Sequence, residues 1–240
     1  MPTDDDVPDR ILVITAHPDD VDYGVAGSVA VWSDAGASVT YCVVTDGDAG
    51  GFDPSVPRER IPAIRRAEQE AAAAQVGVKG VIWLGYPDGR VEPSLDLRRD
   101  LTRAIRQVRP QRVVAPSPER MWDRLFASHP DHLAVGEAAV CAVYPDSRNP
   151  FAFPELAAAG EEAHVVEELW LMATPRAQTY VDVTATFERK LAALREHVSQ
   201  ETDREGLLED RQRRHLSHNA RLAGLAEGRL AEAFFRIVTV

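Results

Sequence analysis

Short runs of apolar residues alternate along the chain with longer stretches in which apolar residues recur every three or four positions. The first run, residues 11–16, is apolar almost throughout and rich in β-branched residues, which is typical of a strand buried on both faces of a sheet. Similar runs predict strands at residues 38–45, 80–84, 112–115, 167–173 and 179–183. The amphipathic stretches predict helices at residues 24–37, 58–76, 95–108, 129–143, 187–200 and 204–226.

The alternation of strands and helices predicts the fold class. Strand–helix–strand units at this spacing favour an α/β fold with a doubly wound, mainly parallel sheet and helices on both faces. The periodicity weakens after residue 144, and the chain closes on a short apolar stretch at residues 232–240, so we expect this last part to extend the sheet. With 240 residues and no repeat or linker, we predict a single domain over residues 1–240, with a flexible N-terminus at residues 1–9.

Charge and cysteine content narrow the function classes. The net charge of −11 argues against a broad surface for binding nucleic acid. Cys42 and Cys141 lie in apolar segments without a CxxC pattern, so we expect two buried, reduced thiols. The acidic N-terminus lacks the layout of a signal peptide, and no apolar run reaches the length of a membrane span. We therefore expect a cytoplasmic protein with no nucleic-acid or membrane partner.

Two histidine-containing clusters follow two of the predicted strands. His17-Pro-Asp-Asp20 lies at the end of the first strand, and His129-Pro-Asp-His132 follows the fourth strand. Ligands of a doubly wound sheet bind beyond the carboxyl ends of the strands where the strand order reverses, commonly between strands one and four. A histidine taken alone is more often a surface or core residue. The placement of both clusters nevertheless predicts that they meet in one crevice.

The residue types in the first cluster suit a zinc-dependent hydrolase. Zinc prefers imidazole nitrogen and carboxylate oxygen, and a catalytic zinc site has three protein ligands and a water molecule. His17 and Asp20 are three residues apart on a tight turn and can reach one ion. Asp19 is then a second carboxylate beside the ligand pair, positioned to act as a general base.

The second cluster supplies two more histidines at the start of a predicted helix. Ser128 is predicted to cap this helix and Pro130 to lie in its first turn. His129 and His132 are three residues apart and therefore neighbours on one helix face. One of them is expected to complete the metal site, and the other to stabilise an oxyanion or protonate a leaving amine.

The same residues resemble a known enzyme family. The segment from His17 to Gly24, followed by Gly27, and the segment from His129 to His132 are similar to the two signatures of the LmbE-like, or PIG-L, de-N-acetylases. Residues 45–47, 65–68 and 85–89 are also similar to segments of this family, and the resemblance extends from about residue 11 to residue 200. Asp22 stands where the family usually has Glu, which puts in doubt the contact made by that longer side chain.

The resemblance implies a Rossmann-like fold, a Zn²⁺ ion or another divalent metal, and hydrolysis of an acetamide, usually on an N-acetylglucosamine derivative. It implies a homo-oligomer, a trimer or a hexamer. Asp19 would be the general base, His129 would stabilise the tetrahedral intermediate, and Asp131 would orient a histidine. By matching positions, the metal ligands would be His17, Asp20 and His132.

Further polar residues are candidates for contacts with substrate. Arg65 and Arg66 are predicted to hold a sugar hydroxyl or a phosphate, although a solvated helix face explains them equally well. Composition predicts a turn at Asp88, and the family resemblance favours a substrate contact. Weaker candidates for the site are Asp46, Asp48, His197 and Trp122. Structural positions are expected for the remaining histidines and tryptophans: His164, His215 and His218 at the surface, and Trp32, Trp83 and Trp170 in the core.

Other function classes are weighed against a deacetylase. The chain has no GxGxxG after its first strand, no P-loop and no GxSxG, which disfavours dinucleotide binding, nucleotide binding and serine hydrolysis. Three alternatives stay open at this point. They are an amidase acting on a thiol conjugate or another amide, a non-catalytic metal-containing sugar-binding protein, and a metal-dependent phosphoesterase.

Overall fold

The seven strands of the computed structural model, which describes residues 7–200 and 206–240, form one sheet. The strands are Arg10–Thr15 (β1), Ser38–Thr45 (β2), Gly80–Tyr86 (β3), Arg112–Pro116 (β4), Glu168–Met172 (β5), Thr179–Asp182 (β6) and Ala231–Val238 (β7). Their order is β3-β2-β1-β4-β5-β7-β6, with β1 to β5 parallel and β7 antiparallel to both of its neighbours. The predicted doubly wound, mainly parallel sheet is confirmed, and the strand order reverses between β1 and β4.

Helices cover both faces of this sheet. They are Asp20–Gly24 (α1), Ala26–Asp34 (α2), Ile61–Gln75 (α3), Leu95–Val108 (α4), Pro130–Cys141 (α5), Pro154–Ala158 (α6), Phe187–Glu196 (α7) and Leu207–Leu222 (α8). Shorter helical turns span Arg58–Arg60, Trp122–Ala127 and Ala142–Asp146. Within the described ranges, no helix has the length and apolar character needed to cross a bilayer.

The core consists of one apolar layer on each face of the sheet. Strand β1 contributes to both layers, because Ile11 and Val13 face one side while Leu12 and Ile14 face the other, and all four are fully buried. Helices α2, α3, α7 and α8 cover the first layer, and α4 and α5 cover the second. The burial of β1 on both faces explains why its sequence is apolar without alternation.

Two of the three tryptophans assigned to the core are confirmed there. Trp32 and Trp170 are fully buried and meet edge to face, with ring centroids 5.7 Å apart. Trp83 is only half-buried, contrary to the prediction. It lies on β3 at the edge of the sheet, where the Arg66 guanidinium covers its ring at 4.8 Å from the centroid.

The helix that follows β1 differs from its prediction at residues 24–37. It begins already at Asp20 and is broken at Val25, whose φ of −146° and ψ of 2° are not helical, so that α1 and α2 are separate helices. The break leaves α1 as a short helix that begins at the last residue of the first histidine cluster. Helix α2 then runs along the sheet and reaches Asp34.

The start of α5 also differs from its prediction. Ser128 does not cap the helix, because its Oγ accepts the Met121 N–H at 2.8 Å. The N-cap is His129, whose Nδ1 accepts the Asp131 N–H at 3.2 Å, and Pro130 occupies the first turn as expected.

The apolar stretch at residues 232–240 extends the sheet as expected, because most of it forms β7, an antiparallel strand between β5 and β6. Burial corrects several other expectations. Cys141 is half-buried rather than buried, although Cys42 is buried and both thiols are free. His164 and His215 are half-buried rather than exposed, and His164 Nε2 lies 2.8 Å from the Pro110 carbonyl; His218 is exposed as predicted. Residues 1–6 of the predicted flexible N-terminus, and residues 204 and 205 of the predicted last helix, lie outside the described residues.

A buried ion pair joins the C-terminal strand to the break between α1 and α2. Lys190 of α7 donates to the carbonyls of Asp22 and Tyr23, at 2.7 and 2.8 Å, and to Glu232 Oε1 at 2.8 Å. Glu232 of β7 accepts the Ser28 N–H at 2.7 Å at the start of α2. The ammonium thus lies at the C-terminus of α1 and the carboxylate at the N-terminus of α2, which is the favourable arrangement at both helix ends.

Replacing Lys190 with Met is expected to destabilise the fold by about 3–5 kcal/mol, because the Glu232 carboxylate would stay buried without its cation. Urea unfolding followed by circular dichroism measures this change. The double variant Lys190→Met/Glu232→Gln removes both charges and should recover part of the loss. Exposed ion pairs contribute about 1 kcal/mol or less to stability. A Lys190→Met protein whose free energy of unfolding lies within about 1 kcal/mol of the wild-type value would therefore contradict this account.

Candidate active site

The two histidine clusters meet beyond the carboxyl ends of β1 and β4, where the sheet reverses its strand order. The ring centroid of His17 lies 4.9 Å from that of His129 and 5.2 Å from that of His132. The His129 and His132 centroids are 5.6 Å apart. Three imidazoles from two distant segments therefore surround one point, as the sequence predicts.

Three donor groups, two imidazole nitrogens and one carboxylate, converge in this cluster with the spacing of a metal site. His17 Nδ1 lies 3.3 Å from Asp20 Oδ2 and 3.3 Å from His132 Nε2, and His132 Nε2 lies 3.0 Å from Asp20 Oδ1. Two ligands bound about 2.1 Å from a tetrahedral zinc ion are separated by roughly 3.4 Å. The observed donor set, two nitrogens and one carboxylate, therefore fits a divalent cation in both chemistry and spacing.

The hydrogen bonds of the imidazoles leave the same nitrogens available to an ion. His17 Nε2 faces Asp131 Oδ2 at 3.1 Å and Asp88 Oδ1 at 3.1 Å, so its proton belongs there and the lone pair of Nδ1 is available. His132 Nδ1 faces the Ala127 carbonyl at 3.4 Å, which leaves the lone pair on Nε2. Such outer partners set the tautomer and ring orientation of histidine ligands.

A second set of possible ligands, His17, His129 and Asp131, shares the His17 ring. Two of its three side chains, His17 through Nε2 and Asp131, are already engaged in hydrogen bonds within the protein. The Asp131 carboxylate accepts the Gly89 N–H at 2.7 Å and the Val91 N–H at 3.2 Å, and His129 Nδ1 accepts the Asp131 N–H. The geometry therefore favours the set of His17, Asp20 and His132.

The electrostatics of the cluster favour a bound cation. Burial alone would lower the pKa of His17, but the charge of Asp20 and hydrogen bonds to Asp131, Asp20 and Asp88 outweigh it and raise this pKa to about 12. The pKa of His132 is also raised, because the Asp20 charge outweighs burial. The pKa of Asp20 is lowered, since the two imidazoles outweigh its burial. A divalent cation would take the place of these protons, because metal binding to imidazole releases them.

Asp19 is set apart from the neighbouring carboxylates by its environment. Burial, followed by the charge of Asp20, raises its pKa to about 7, although the charge of Arg65 opposes the change. The Arg65 Nη2 atom lies 3.2 Å from Asp19 Oδ2. A carboxyl group whose pKa lies near neutrality can both accept and return a proton at physiological pH.

His129 is a neutral hydrogen-bond donor in this site. Burial, followed by the charge of His17, lowers its pKa. Because its Nδ1 accepts the Asp131 N–H at the helix cap, the neutral ring carries its proton on Nε2. His129 can therefore donate a hydrogen bond to a reacting oxygen without carrying a charge.

The residues predicted to contact substrate lie at different depths. Arg65 is buried at 3% exposure, and its guanidinium donates to the carbonyls of Pro18 and Gly47 at 2.5 and 3.2 Å. Arg66 is half-buried and donates to Asp46 Oδ1 at 2.6 Å. Arg65 therefore stabilises the turn of the first cluster through its backbone carbonyls. Its predicted contact with substrate stays a prediction.

Asp88 faces the cluster directly, through its contact with His17 Nε2. Its backbone N–H donates to Asp48 Oδ1 at 2.9 Å, and Asp48 also accepts from Arg58 Nε at 2.8 Å. In the contacts described for them, Asp46 and Asp48 pair with arginines and support the loop of Asp88 rather than orienting His17. Trp122 is 79% exposed in the loop that precedes the second cluster.

Two buried residues lie behind the site. The sequence indicates His197 only as a weak candidate and does not single out Gln69. His197, the C-cap of α7, is 1% exposed and its Nε2 lies 2.8 Å from Asp22 Oδ2. Gln69 of α3 is fully buried, and its side chain contacts both the first cluster and Asp22. The available signal was helical spacing, since Arg65 and Gln69 share the buried stripe of α3 with Ala72.

The chain is similar in sequence to known deacetylases. Residues 12–143 match the PIG-L family, described as GlcNAc-PI de-N-acetylase. The diacetylchitobiose deacetylase of Thermococcus kodakarensis is 32% identical over 192 residues, covering 80% of this chain and 70% of that protein. A probable N-acetyl-alpha-D-glucosaminyl L-malate deacetylase 2 of Bacillus cereus is 32% identical over 208 residues, covering 84% of this chain and 86% of that protein.

A solved structure shows the same similarity in three dimensions. The N,N'-diacetylchitobiose deacetylase from Pyrococcus horikoshii, complexed with its inhibitor, superposes with a TM-score of 0.88 at 32% sequence identity. The match covers 96% of this chain and 84% of that chain. The similarity in fold therefore extends over nearly the whole chain.

Proposed function

Because the chain belongs to the PIG-L family of de-N-acetylases, we propose that it hydrolyses the acetamide group of an N-acetylated amino-sugar derivative with the help of a bound metal ion. The observation that carries this proposal is the convergence of His17 Nδ1, Asp20 and His132 Nε2 within 3.3 Å of one another, beside Asp19. Deacetylases of sugar derivatives among the relatives support the substrate class.

The proposed metal ligands are His17, Asp20 and His132, and the proposed metal is zinc. Two nitrogens and one oxygen are a donor set that zinc prefers, although other divalent metals bind the same atoms. When bound, zinc would supply Lewis-acid polarisation of the amide carbonyl and would make water a stronger acid. Asp131 and Asp88 hold the His17 ring in the orientation this site requires.

The remaining chemistry is assigned to Asp19 and His129. Asp19 accepts a proton from water as the water oxygen bonds to the acyl carbon. His129 Nε2–H donates a hydrogen bond to the developing oxyanion. When the C–N bond breaks, the proton held by Asp19 passes to the departing amine, and acetate leaves. A pKa of about 7 suits Asp19 to both directions of this transfer.

Contacts with the sugar are assigned to the rim of the site. Asp88 is placed beside His17, and the half-buried Arg66 lies farther out on α3. These two side chains can accept from and donate to sugar hydroxyls. The Arg65 guanidinium is occupied by backbone carbonyls and by the carboxylates of Asp19 and Asp88, so we expect it to act on the sugar only through these two carboxylates.

Measuring metal content and acetate release on one preparation tests this function. We expect about one zinc per chain and acetate release from at least one member of a panel containing N-acetylglucosamine, diacetylchitobiose, and N-acetylglucosaminyl conjugates of malate and inositol. Stripping the metal should abolish release, and zinc should restore it.

Other results would redirect the assignment. Bound metal with no release from the sugar panel, but hydrolysis of a thiol conjugate, would identify another amidase. Bound metal with no hydrolysis of any amide would favour a sugar-binding protein, and release of phosphate would favour a phosphoesterase. A protein that takes up no divalent metal after reloading would overturn the proposal.

We also propose a reducing, cytoplasmic location, because both cysteines are free thiols. Burial, followed by the charge of Asp100, raises the pKa of the Cys42 thiol to about 12, so this cysteine is protected from oxidation. A single domain over residues 1–240 and a trimeric or hexameric assembly remain predictions, which gel filtration with light scattering can test.

A further inference from the structure

A chain of buried hydrogen bonds runs from the backbone of Asp19 into the core. The Asp19 N–H donates to Gln69 Oε1 at 2.8 Å, and Gln69 Nε2 donates to Asp22 Oδ2 at 2.8 Å. His197 Nε2 lies 2.8 Å from the same Asp22 oxygen. Gln69 and Asp22 are fully buried and His197 is 1% exposed, so these bonds do not compete with solvent.

The direction of these bonds fixes the orientation of the Gln69 amide. Its oxygen must accept, because it faces a backbone N–H, and its nitrogen must donate, because it faces a carboxylate. A flipped amide would place two donors together at Asp19 and two acceptors together at Asp22. The side chain therefore links Asp22 to Asp19 in one arrangement only.

Asp19 adopts a backbone conformation that requires such support. Its φ of 88° lies in the left-handed region, which residues other than glycine rarely occupy. The conformation places the Asp19 carbonyl at the start of α1, where it accepts the N–H groups of Asp22 and Tyr23 at 2.9 and 3.1 Å. Loss of the bond to Gln69 would leave the Asp19 N–H buried without an acceptor and favour rotation of the residue.

Helix α3 holds Asp19 at two points. Arg65 contacts the carboxylate of Asp19, while Gln69, one turn later on the same buried stripe, binds its N–H. Arg65 also holds the preceding carbonyl of Pro18 at 2.5 Å. The backbone and the side chain of Asp19 are thus fixed by a helix that contributes none of the proposed metal ligands.

We propose that Gln69 is a positioning residue for the reaction, which fixes the strained backbone of Asp19 and thereby aims its carboxylate, with Asp22 and His197 locking the Gln69 amide. The inference rests on the proposed function for the role of Asp19 as the base. A displacement of about 1 Å in a reacting group can lower a rate by about 10²-fold, so a residue that does not touch substrate can have a large effect.

Gln69→Met tests this role, because it keeps the length of the side chain and removes both hydrogen bonds. We expect kcat to fall by about 10- to 100-fold, with KM within about twofold of the wild type and zinc content unchanged. Residue-resolved hydrogen exchange should show the Asp19 amide exchanging at least about tenfold faster. The matched control is Gln75→Met on the same helix, which removes a surface bond to Glu196 at 2.8 Å and should leave kcat and the Asp19 amide unchanged.

Exchanging the amide and the carboxylate between positions 69 and 22 distinguishes a positioning role of Gln69 from a general contribution to stability. Gln69→Glu places a carboxylate against Asp22 and should lower kcat and the melting temperature together. Gln69→Glu/Asp22→Asn reverses donor and acceptor between the two residues, so the carboxylate at position 69 accepts from the amide at position 22 as well as from the Asp19 N–H, without like-charge repulsion. We expect this double variant to recover at least about tenfold in kcat over Gln69→Glu.

Three results would overturn the proposal: unchanged kcat in Gln69→Met, a loss of zinc in proportion to the loss of activity, or an Asp19 amide that exchanges at the wild-type rate. Failure of the double variant to exceed Gln69→Glu in kcat would overturn it as well. A wild type that hydrolyses none of the amides defeats the proposed function instead, and exchange at Asp19 still decides whether Gln69 holds that residue.

Discussion

Asp19→Asn is expected to lower kcat for amide hydrolysis by about 10²- to 10⁴-fold, the usual contribution of a general base. The substitution keeps the volume of the side chain, and its oxygen can still accept from Arg65, which lies 3.2 Å from Asp19 Oδ2. It removes the ability to take a proton from water. Steady-state kinetics, with metal content measured on the same sample, checks the result, and zinc should stay bound because Asp19 is not among the proposed ligands.

The pH dependence of kcat supplies a second readout of the same residue. Asp19 acts as a base when it is deprotonated, so kcat should rise as pH increases through its pKa. Burial and the charge of Asp20 raise that pKa to about 7, whereas a cation bound at Asp20 would lower it, so we expect the acidic limb below pH 7. This limb should disappear in Asp19→Asn.

The control for this prediction is Asp34→Asn, which removes an exposed carboxylate paired with Arg189 at 2.7 Å. We expect no change in kcat, because exposed pairs contribute little and Asp34 lies at the far end of α2. An Asp19→Asn enzyme that keeps more than about a tenth of the wild-type kcat would remove Asp19 from the role of base, since that role contributes at least about 10²-fold.

The central strands were predictable because their burial leaves a local trace. Ile11 to Ile14 are buried on alternating faces, and a parallel strand covered on both sides must be apolar at every position. The order of β1 and β4 followed from the general rule for doubly wound sheets. The apolar stretch of β7 indicated that it extends the sheet, but its antiparallel place between β5 and β6 leaves no trace in the sequence, because it is set by the partner strands.

The site was predictable where its residues are close in sequence. His17, Asp19 and Asp20 lie in one turn, and their types and spacing indicate a metal and a base before any contact is known. Gln69 was missed because its role depends on how α3 docks against that turn. The sequence shows a polar residue on a helix, and only tertiary packing shows whether the side chain faces solvent or the backbone of Asp19.

Arg65 shows how far the role of a charged side chain depends on tertiary packing. An arginine near a site suggests a contact with substrate, but its guanidinium is buried against the carbonyls of Pro18 and Gly47. Arginine has five donors in a planar fork, which suits it to holding several carbonyls at once. Arg65, Gln69 and Ala72 share one face by the helical period, and the structure shows that this face is buried and that both polar side chains point inward.

His132→Ala is expected to remove the metal, and with it the activity. The substitution deletes one of three ligands, the Nε2 atom that lies 3.0 Å from Asp20 Oδ1. Removing a residue that only hydrogen-bonds to a metal ligand lowers the metal affinity by about 10- to 100-fold. Removing a ligand itself should therefore lower the affinity by more than about 100-fold. Metal analysis after dialysis and a competition assay with a chelating dye measure this affinity, and acetate release should fall below detection.

The variant His129→Ala shows whether loss of the metal is specific to the removal of His132. His129 is three residues away on the same helix start, but it is assigned to the oxyanion, so its removal should keep zinc and lower kcat by about 10²- to 10³-fold. His218→Ala, at an exposed position of α8, should change neither quantity. If His132→Ala keeps its zinc while His129→Ala loses it, the ion is held by the second set, His17, His129 and Asp131. In that case His132 would be the residue available to donate to the oxyanion, because its ring lies 5.2 Å from that of His17.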